Sequence, residues 1–392
     1  MSKPIIQLPR EEYDRRIQNV QAAMHKRGID LLVAHACECE SATVRYLTNF
    51  WAVFDFVGVL VPAQGAPILL TGGPESYDFA KQFAQIDDVR VHPMYVETCA
   101  PEWDKPTHAW NYKMILDELR ERFPIRTIGI ANVNTIPHVI YADIEAGAEG
   151  AKIVEAEDII LTLRQHKSEG EIRLLREGFR ITEEALKQTV QMLKPGVRER
   201  DLLNHWKALS YEMGAEGFGY PCWVTGGKAT YQSLCKSTDR EIGLNEMVQF
   251  SVGAKYNGYC GNIGRVAVLG KLPQRHMDMI RIAGECLEET LSIMKPGVPF
   301  AAAYDAFQKR LNHYGFGGLS LYGPAHGTGL QECEAPWVDN RTQRVMEPNM
   351  VFNIDIWIAD NQYGVRLEDG VLITETGMEP LTTWHRDILQ ID

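Results

Sequence analysis

Two acidic residues, Asp355 and Glu368, stand near the middle of two strongly apolar segments close to the C-terminus. The segments 351–358 and 365–373 are rich in β-branched residues and are separated by a polar stretch, which predicts a β-hairpin. A carboxylate in such surroundings is costly to bury without a partner. Two carboxylates aimed at one point indicate a metal ion, a shared proton or a bound cation. The alternative is that one or both face solvent, since side chains alternate between the two faces of a strand.

A glycine-rich segment at 323–329 carries His326. Glycines on both sides of this residue let the backbone come close to whatever the imidazole contacts. Because an unperturbed imidazole titrates near neutral pH, His326 is the candidate general base, and a structural role in a tight turn is the alternative. Cys333 or Cys235 is an alternative nucleophile to pair with His326, although small buried cysteines serve packing more often.

The second half of the chain, which must position these residues, contains an internal repeat. A predicted helix, the sequence MLKPGV at 192–197 and a second helix recur as a helix, IMKPGV at 293–298 and a helix. In each copy the proline ends the first helix and the glycine permits the turn. Such a duplication predicts two similar halves around one sheet, with a site where they meet. The alternative is that this motif is only a frequent turn between helices.

The first part of the chain has a different character. Residues 1–155 alternate short apolar strands with helices, which predicts an α/β domain, and residues 156–392 contain longer amphipathic helices and longer strands. An aromatic cluster at 50–56 includes Phe54 and Phe56.

Composition excludes some classes of partner. The 392 residues include 40 basic and 52 acidic side chains, giving a formal net charge of −12, which argues against nucleic acid or an anionic membrane. The sequence has no apolar run near the ~18 residues of a membrane span and no apolar signal core at its start. Its eight cysteines follow no repeated spacing, so we expect free thiols in a cytoplasmic protein.

Several motifs of the second part resemble those of one known family. The segments HKSEGEI, VGAKYNGYCGNIGR, AHGTGLQECEAPW, EPNMVFNID and RLEDGVLIT follow one another as in the pita-bread proteins: creatinase, aminopeptidase P, prolidase and methionine aminopeptidase. The first part resembles the N-terminal domain of the first three. The resemblance implies an α/β N-terminal domain, 1–155, followed by an α+β pita-bread catalytic domain, 156–392, with an internal pseudo-two-fold repeat.

The same resemblance locates the site. The family's metallopeptidases use two Asp, one His and two Glu as metal ligands, and these positions hold Ser251, Asn262, His326, Asp355 and Glu368. Two carboxylates are thus replaced by neutral groups. Two divalent ions need comparable negative charge, which this set lacks even with Glu334 added. Binding of a single ion by Asn262, His326, Asp355 and Glu368 remains an alternative. The favoured interpretation is a site that binds no metal.

The resulting hypothesis is a creatinase-like, metal-independent hydrolase without a cofactor, which cleaves a C–N bond in a small, polar, nitrogen-containing substrate. His326 is the base, Glu334 and Asp355 bind or protonate the substrate, and Glu368 orients them. The family's catalytic base position holds Leu234, so creatine itself is not implied. The alternatives are a single-metal Xaa-Pro aminopeptidase or dipeptidase, a lyase, and a non-catalytic binding member of the family.

Further residues are candidates for substrate binding or for closing the site. Arg366 either meets the substrate or neutralises Asp369. The resemblance also implies a homodimer in which the N-terminal domain of one subunit closes the site of the other, so that Phe54 and Phe56 face substrate; a role in an ordinary strand core is the alternative. The complete predicted set for substrate binding is Phe54, Phe56, Trp223, Ser251, Asn262, Cys333, Trp337 and Arg366.

Overall fold

The computed structural model describes residues 5–97, 101–104 and 107–391. The chain forms two compact units. One comprises Leu8–Arg164, and the other comprises the chain from Gln165 onwards together with the N-terminal residues up to Gln7. Every helix of the described residues is too short or too polar to cross a membrane.

The first unit is built on a six-stranded mixed sheet with the strand order β4-β3-β2-β1-β5-β6. The central strand β1 runs antiparallel to β2 and parallel to β5. Its elements are α1 (Arg10–Arg27), β1 (Leu31–Cys37), α2 (Ala42–Thr48), β2 (Phe56–Pro62), β3 (Ile68–Thr71), α3 (Pro74–Phe83), β4 (Asp88–Val91), α4 (Tyr112–Arg120), β5 (Thr127–Ala131), α5 (His138–Ala148), β6 (Lys152–Glu155) and α6 (Glu157–Gln165).

The helix α6 belongs to this first unit by its packing. Ile159 and Ile160 are buried, and the carboxylate of Glu157 accepts a hydrogen bond from the backbone N–H of Asn132 at 3.1 Å. The two units therefore divide at Arg164, later in the chain than the boundary after residue 155 that the sequence suggested.

The second unit contains a ten-stranded sheet whose main path is β12-β11-β13-β14-β10-β9-β7. Strands β15, β16 and β8 pair with β14, β10 and β9 respectively. Its elements are α7 (Glu169–Val190), α8 (Glu199–Glu212), β7 (Gly217–Phe218), β8 (Trp223–Gly226), β9 (Glu246–Tyr256), β10 (Tyr259–Leu269), α9 (Gln274–Ile293), α10 (Phe300–His313), β11 (Ala325–Gly327), β12 (Glu334–Trp337), β13 (Val351–Ala359), β14 (Gly364–Ile373), β15 (Met378–Pro380) and β16 (Leu389–Ile391).

The internal repeat predicted from the sequence is present. Each half consists of two helices followed by a long antiparallel hairpin: α7 and α8 precede β9–β10, and α9 and α10 precede β13–β14. The turns between the helices contain Gly196 (φ 86°) and Gly297 (φ 81°), in the left-handed region that favours glycine. The two hairpins meet where β10 pairs with β14, with Gly264 opposite Glu368.

The start of α7 is fixed by a capping box. The side chain of Ser168 accepts a hydrogen bond from the backbone of Glu171, and the carboxylate of Glu171 accepts one from the backbone of Ser168. Lys167, the residue before the cap, is buried, and its backbone N–H donates a hydrogen bond to the carbonyl oxygen of Asn349 at 2.9 Å.

Candidate metal and substrate site

The central hairpin places Asp355 and Glu368 directly opposite each other on β13 and β14. Their exposed fractions are 6% and 2%, so both carboxylates are buried and neither faces solvent. The amide of Asn353 donates a hydrogen bond to the carboxylate of Glu368 and holds it in place. The hairpin predicted from the sequence is thus correct, and its two acidic residues point into the protein.

His326 lies on the short strand β11, which pairs with β13. Its ring is buried, and Nδ1 lies 2.9 Å from the carbonyl oxygen of Gly327. Because a carbonyl can only accept, Nδ1 must carry the proton, and the neutral ring then presents the lone pair of Nε2. This lone pair is suited to a metal ion or a proton.

Glu332, a residue that sequence reasoning missed, completes a cluster of donors. A ring nitrogen of His326 and one carboxylate oxygen each of Glu332 and Glu368 all lie within 4.8 Å of one another. Burial, with Asp355 adding its negative charge, raises the pKa of Glu332 to about 7. Burial also raises the pKa of Glu368 to about 8, with Asp355 and Glu332 contributing in the same direction. Crowded acids of this kind are stabilised as carboxylates by a cation.

Asp355 has a different partner. Its Oδ1 lies 3.2 Å from Nε of Arg366, and the guanidinium donates through Nη2 to the hydroxyl of Tyr322 at 2.6 Å. Burial alone would lower the pKa of Arg366, but Asp355 and Tyr322 together raise it above its ordinary value.

The pairing of Arg366 with Asp369 considered from the sequence is wrong. Asp369 accepts hydrogen bonds from Arg265 and Arg386, each at 2.6 Å. Residues 366 and 369 are an odd number apart on β14, so their side chains point to opposite faces of the sheet.

Glu334 is held away from the donor cluster. Its carboxylate lies 2.9 Å from Nζ of Lys167, and each of these two side chains is only 2% exposed. The charge of Glu334 is therefore compensated inside the protein rather than directed at His326. The arrangement favours a structural role for this residue over the predicted binding or protonation of substrate.

A cavity of about 430 Å³ opens beside the donor cluster. Half of the predicted site residues line it, together with Tyr220 and Tyr322, which the sequence analysis did not single out. The lining residues are Tyr220, Pro221, Trp223, Leu234, Cys235, Tyr322, His326, Glu332, Cys333, Trp337, Asp355 and Arg366.

The other predicted binding residues lie elsewhere. Ser251 and Asn262 are buried in the adjacent strands β9 and β10, and Ser251 Oγ and Asn262 Oδ1 have no hydrogen-bond partner among the described residues. The amide of Asn262 reaches the backbone oxygen of Glu332 at 3.5 Å. In the first unit Phe54 is 69% exposed, whereas the ring of Phe56 packs against that of His35 at 5.7 Å.

The cavity thiols are poor nucleophiles. Burial raises the pKa of Cys333 above its ordinary value, and the surrounding carboxylates act in the same direction. Burial also raises the pKa of Cys235. Since the thiolate is the reactive form, both environments oppose the nucleophilic role considered as an alternative.

The donor set fits one divalent cation. One neutral imidazole nitrogen and two carboxylate oxygens suit a first-row transition metal, and the two carboxylates balance its charge. A second ion would need ligands from the neutral side chains of Ser251 and Asn262 and from Asp355. The carboxylate of Asp355 already lies 3.2 Å from Arg366.

Comparison with known families decides the identity of the fold. The model of metallopeptidase family M24 matches residues 173–375, and that of the creatinase/prolidase N-terminal domain matches residues 16–166. The chain belongs to metallopeptidase family M24. Its two-part architecture, with an α/β N-terminal domain and a pita-bread C-terminal domain, is therefore confirmed.

Relatives of this M24 chain include proteins of stated activity. An uncharacterized peptidase, YqhT, of Bacillus subtilis (strain 168) is 26% identical over 271 residues, covering 69% of this chain and 76% of the relative. The Xaa-Pro dipeptidase of Pyrococcus furiosus is 26% identical over 264 residues, covering 67% of this chain and 75% of that enzyme.

Solved structures show the same fold. An Xaa-Pro dipeptidase from Bacillus anthracis is similar with a TM-score of 0.82 and 21% identity, over 97% of this chain and 100% of that one. An X-Pro aminopeptidase from Thermotoga maritima MSB8 is similar with a TM-score of 0.81 and 24% identity, over 97% and 99% of the two chains.

The expectation of a creatinase-like, metal-independent hydrolase without a cofactor is wrong. The family is one of metallopeptidases, which hydrolyse C–N bonds, and relatives of this chain include two Xaa-Pro dipeptidases from Pyrococcus. The sequence argument failed because it counted the negative ligands at the family's motif positions alone. Glu332 lies outside those positions, and its carboxylate supplies one of the two negative charges that are missing at Ser251 and Asn262.

Proposed function

We propose that this M24 chain is a metal-dependent peptidase that hydrolyses short peptides with proline in the second position. The observation that carries the proposal is the cluster of His326, Glu332 and Glu368, whose ligand atoms lie within 4.8 Å of one another beside a cavity of about 430 Å³. The cavity is large enough for a dipeptide and has aromatic walls that suit the flat, apolar ring of proline. The names of the relatives support this choice of substrate.

His326, Glu332 and Glu368 would hold one divalent cation, which when bound supplies a water of lowered pKa and polarises the scissile carbonyl. Hydrogen bonds from other groups of the protein orient two of these ligands. The carbonyl oxygen of Gly327 accepts a hydrogen bond from Nδ1 of His326, and the amide of Asn353 donates one to the carboxylate of Glu368. The Nε2 lone pair and the carboxylate are therefore oriented before substrate arrives.

Asp355 is the candidate proton acceptor. It lines the cavity, and its Oδ1 accepts no well-aligned hydrogen bond within the described residues. The Nε atom of Arg366 lies 3.2 Å from this oxygen. Asp355 would take the proton of the attacking water and pass it to the leaving nitrogen.

Metal content and peptide hydrolysis, measured together, test the proposal. Protein purified without chelator and offered Mn²⁺, Co²⁺ or Zn²⁺ is expected to hold about one ion per chain by mass spectrometry, and to cleave Ala-Pro in a reaction that chelator abolishes. Less than about 0.1 ion per chain, with no cleavage of any Xaa-Pro dipeptide, would contradict it.

We also propose that the protein acts in the cytoplasm as a homodimer in which the N-terminal domain of one subunit covers the cavity of the other. The first unit exposes Phe54, and the cavity region of the second exposes Leu234, Leu321 and Trp337, with 67% of Leu321 and 78% of Leu234 accessible. Exposed apolar groups of this kind mark interfaces. The seven cysteines of the described residues are free, as in a reducing compartment, and Cys99 lies outside those residues.

A further inference from the structure

Two thiols lie side by side in a tight turn of the first unit. Cys37 is the last residue of β1, and Cys39 follows two positions later in the sequence Cys-Glu-Cys-Glu. Their Sγ atoms are 3.2 Å apart, so that one thiol donates a hydrogen bond to the other. Neither residue lines the cavity beside the donor cluster or belongs to that cluster, and no step of the proposed peptide hydrolysis uses them.

The backbone of the turn holds the two thiols together. The N–H of Cys37 donates to the carbonyl oxygen of Glu40 at 3.1 Å, and the N–H of Glu40 donates to the carbonyl oxygen of Cys37 at 3.2 Å. These reciprocal bonds close a four-residue turn with Cys39 in its third position. Cα atoms two positions apart are separated by at most about 7 Å in an extended chain, and a turn brings them closer.

This spacing suits a disulfide bond. Two cysteines are bridged when their Cα atoms lie about 4.4–6.8 Å apart, and the bond joins the sulfur atoms at about 2.05 Å. The Sγ atoms of Cys37 and Cys39 therefore need to approach by only about 1.2 Å, a movement that rotation of the side chains supplies. A ring closed over three residues constrains the unfolded chain little, so such a bond should be easily reduced.

The surroundings of the two thiols differ. Cys37 is half-buried, and Cys39 is exposed. Burial, with a further contribution from the hydrogen bond to Cys39, raises the pKa of Cys37 to about 11. Since the thiolate is the attacking form, Cys39 is the thiol that meets a reagent from solution first, and Cys37 is placed to react second.

The turn carries negative charge. Glu38, which is exposed, stands between the two cysteines, and Glu40 closes the turn. No lysine or arginine occurs in the segment 28–44, and the whole chain has a formal net charge of −12. Opposite charges attract and like charges repel over about 10 Å at ordinary salt concentrations, so a cationic reagent approaches these thiols more readily than an anionic one.

We propose that Cys37 and Cys39 form a reversible thiol–disulfide exchange site for small disulfides, with a preference for positively charged ones. Cys39 loses its proton and attacks one sulfur of the small disulfide, whose S–S bond breaks. One half of the reagent stays bound to Cys39, and the other half leaves as a thiolate and takes up a proton.

The second step closes the intramolecular bond. Cys37 loses its proton and attacks the sulfur of Cys39, which releases the bound half of the reagent as a second thiol. In sum, two protein thiols are oxidised to one disulfide, and one small disulfide is reduced to two thiols. This chemistry does not depend on the peptidase function proposed above.

Mass spectrometry of the unmodified protein tests the exchange. Reduced protein is incubated with cystamine, a doubly cationic disulfide, then quenched in acid, alkylated and digested. The tryptic peptide 28–45 contains Cys37 and Cys39 and no other cysteine. We expect this peptide to lose two hydrogens and to remain without alkylation, and dithiothreitol should restore both thiols. A peptide that keeps two alkylated thiols, or that stops as a mixed disulfide, would overturn the proposal.

Variants assign the two steps. Cys37→Ser is expected to stop at the mixed disulfide, with cysteamine retained on Cys39. Cys39→Ser should react at least about tenfold more slowly, because the half-buried Cys37 must then attack. Cys235→Ser, at another half-buried free cysteine, is the control and should leave the oxidation of peptide 28–45 unchanged. Equal rates in Cys39→Ser and the unmodified protein would contradict the order of attack.

A second reagent tests the preference for charge. Dithiodiglycolate is a doubly anionic disulfide, and dividing each rate by that of the same reagent with 2-mercaptoethanol removes the difference between leaving groups. The corrected ratio of cystamine to dithiodiglycolate is expected to be at least about fivefold at about 0.01 M salt and to approach one at about 1 M salt. Glu38→Gln should lower this ratio, whereas Glu145→Gln, at an exposed glutamate of α5, should not. A ratio near one at low salt would overturn the preference for cations.

Discussion

Asp355 and Glu368 face each other across the β13–β14 hairpin, yet their carboxylates serve different partners. Asp355 lies 3.2 Å from the guanidinium of Arg366, whereas Glu368 joins His326 and Glu332 in the donor cluster. An aspartate side chain is one methylene shorter than the glutamate expected at its position. The loop before β12 brings Glu332 into the donor cluster, and in the proposed function Asp355 is therefore the residue left for proton transfer.

Metal content should therefore depend on Glu332 more than on Asp355. Glu332→Gln removes a proposed ligand and its charge. Loss of a residue that only supports a metal ligand typically weakens metal binding about 10–100-fold, so we expect the affinity of this variant to fall by at least that factor. Asp355→Asn should retain about one ion per chain and lose turnover instead. Glu375→Gln, at an exposed glutamate, is the control. Full metal content in Glu332→Gln, measured by competition with a fluorescent chelator, would contradict the ligand assignment.

The buried pair of Lys167 and Glu334 should stabilise the second unit. Lys167→Met removes the cationic partner of the buried Glu334 carboxylate, so the free energy of unfolding is expected to fall by about 3–5 kcal/mol. Adding Glu334→Gln should restore part of this loss, because the buried negative charge is then removed. Chemical denaturation followed by tryptophan fluorescence measures both.

An exposed pair provides the control for this experiment. Arg176 and Glu379 also form an ion pair, at 2.7 Å, but both side chains are nearly half exposed. Arg176→Gln should change the free energy of unfolding by less than about 1 kcal/mol. Equal effects of Arg176→Gln and Lys167→Met would show that burial does not govern the strength of the Lys167–Glu334 pair.

The elements of this fold were readable from the sequence because their signals are local. The apolar strands around Asp355 and Glu368, and the Lys-Pro-Gly turns between the repeated helices, follow rules that act within a few residues. His326 was found through the motif around it. Glu332 was not, since it lies in an irregular loop, where no periodicity predicts which side chain points inward.

Long-range pairings account for the other errors. Lys167 and Glu334 are separated by 167 residues, and nothing in either local segment indicates that their charges meet. The wrong pairing of Arg366 with Asp369 came from closeness in sequence, which the alternation of strand faces overrides. The expectation of no metal had a different source, because the charge count at the site left out the carboxylate of Glu332.

His35 should make the protein less stable in mild acid. It lies on β1 with no exposed surface, beside the rings of Phe56 and Tyr95 and 3.5 Å from the hydroxyl of Thr135. Burial lowers the pKa of His35 to about 4. Because the unfolded chain takes up this proton below about pH 6.5 and the folded chain only near pH 4, stability falls across that window by about 3 kcal/mol.

A variant isolates the contribution of His35. His35→Gln keeps a polar side chain without a titrating group, so its free energy of unfolding should depend less on pH between 6.5 and 4 than that of the unmodified protein. Above pH 7 both states of His35 are neutral, and the titration adds nothing to the difference between the two proteins. Parallel pH profiles from denaturation at each pH would contradict the assignment.

Phe54 should contribute to dimer formation. It is 69% exposed on the first unit, and large apolar side chains at interfaces supply a large share of binding energy. Phe54→Ser is therefore expected to weaken the dimer at least tenfold in sedimentation velocity and to raise KM, because an uncovered cavity holds substrate less well. Val139→Ser, at another exposed apolar residue of the same unit, should leave both unchanged. A monomeric unmodified protein, or a dimer indifferent to Phe54→Ser, would contradict the proposed assembly.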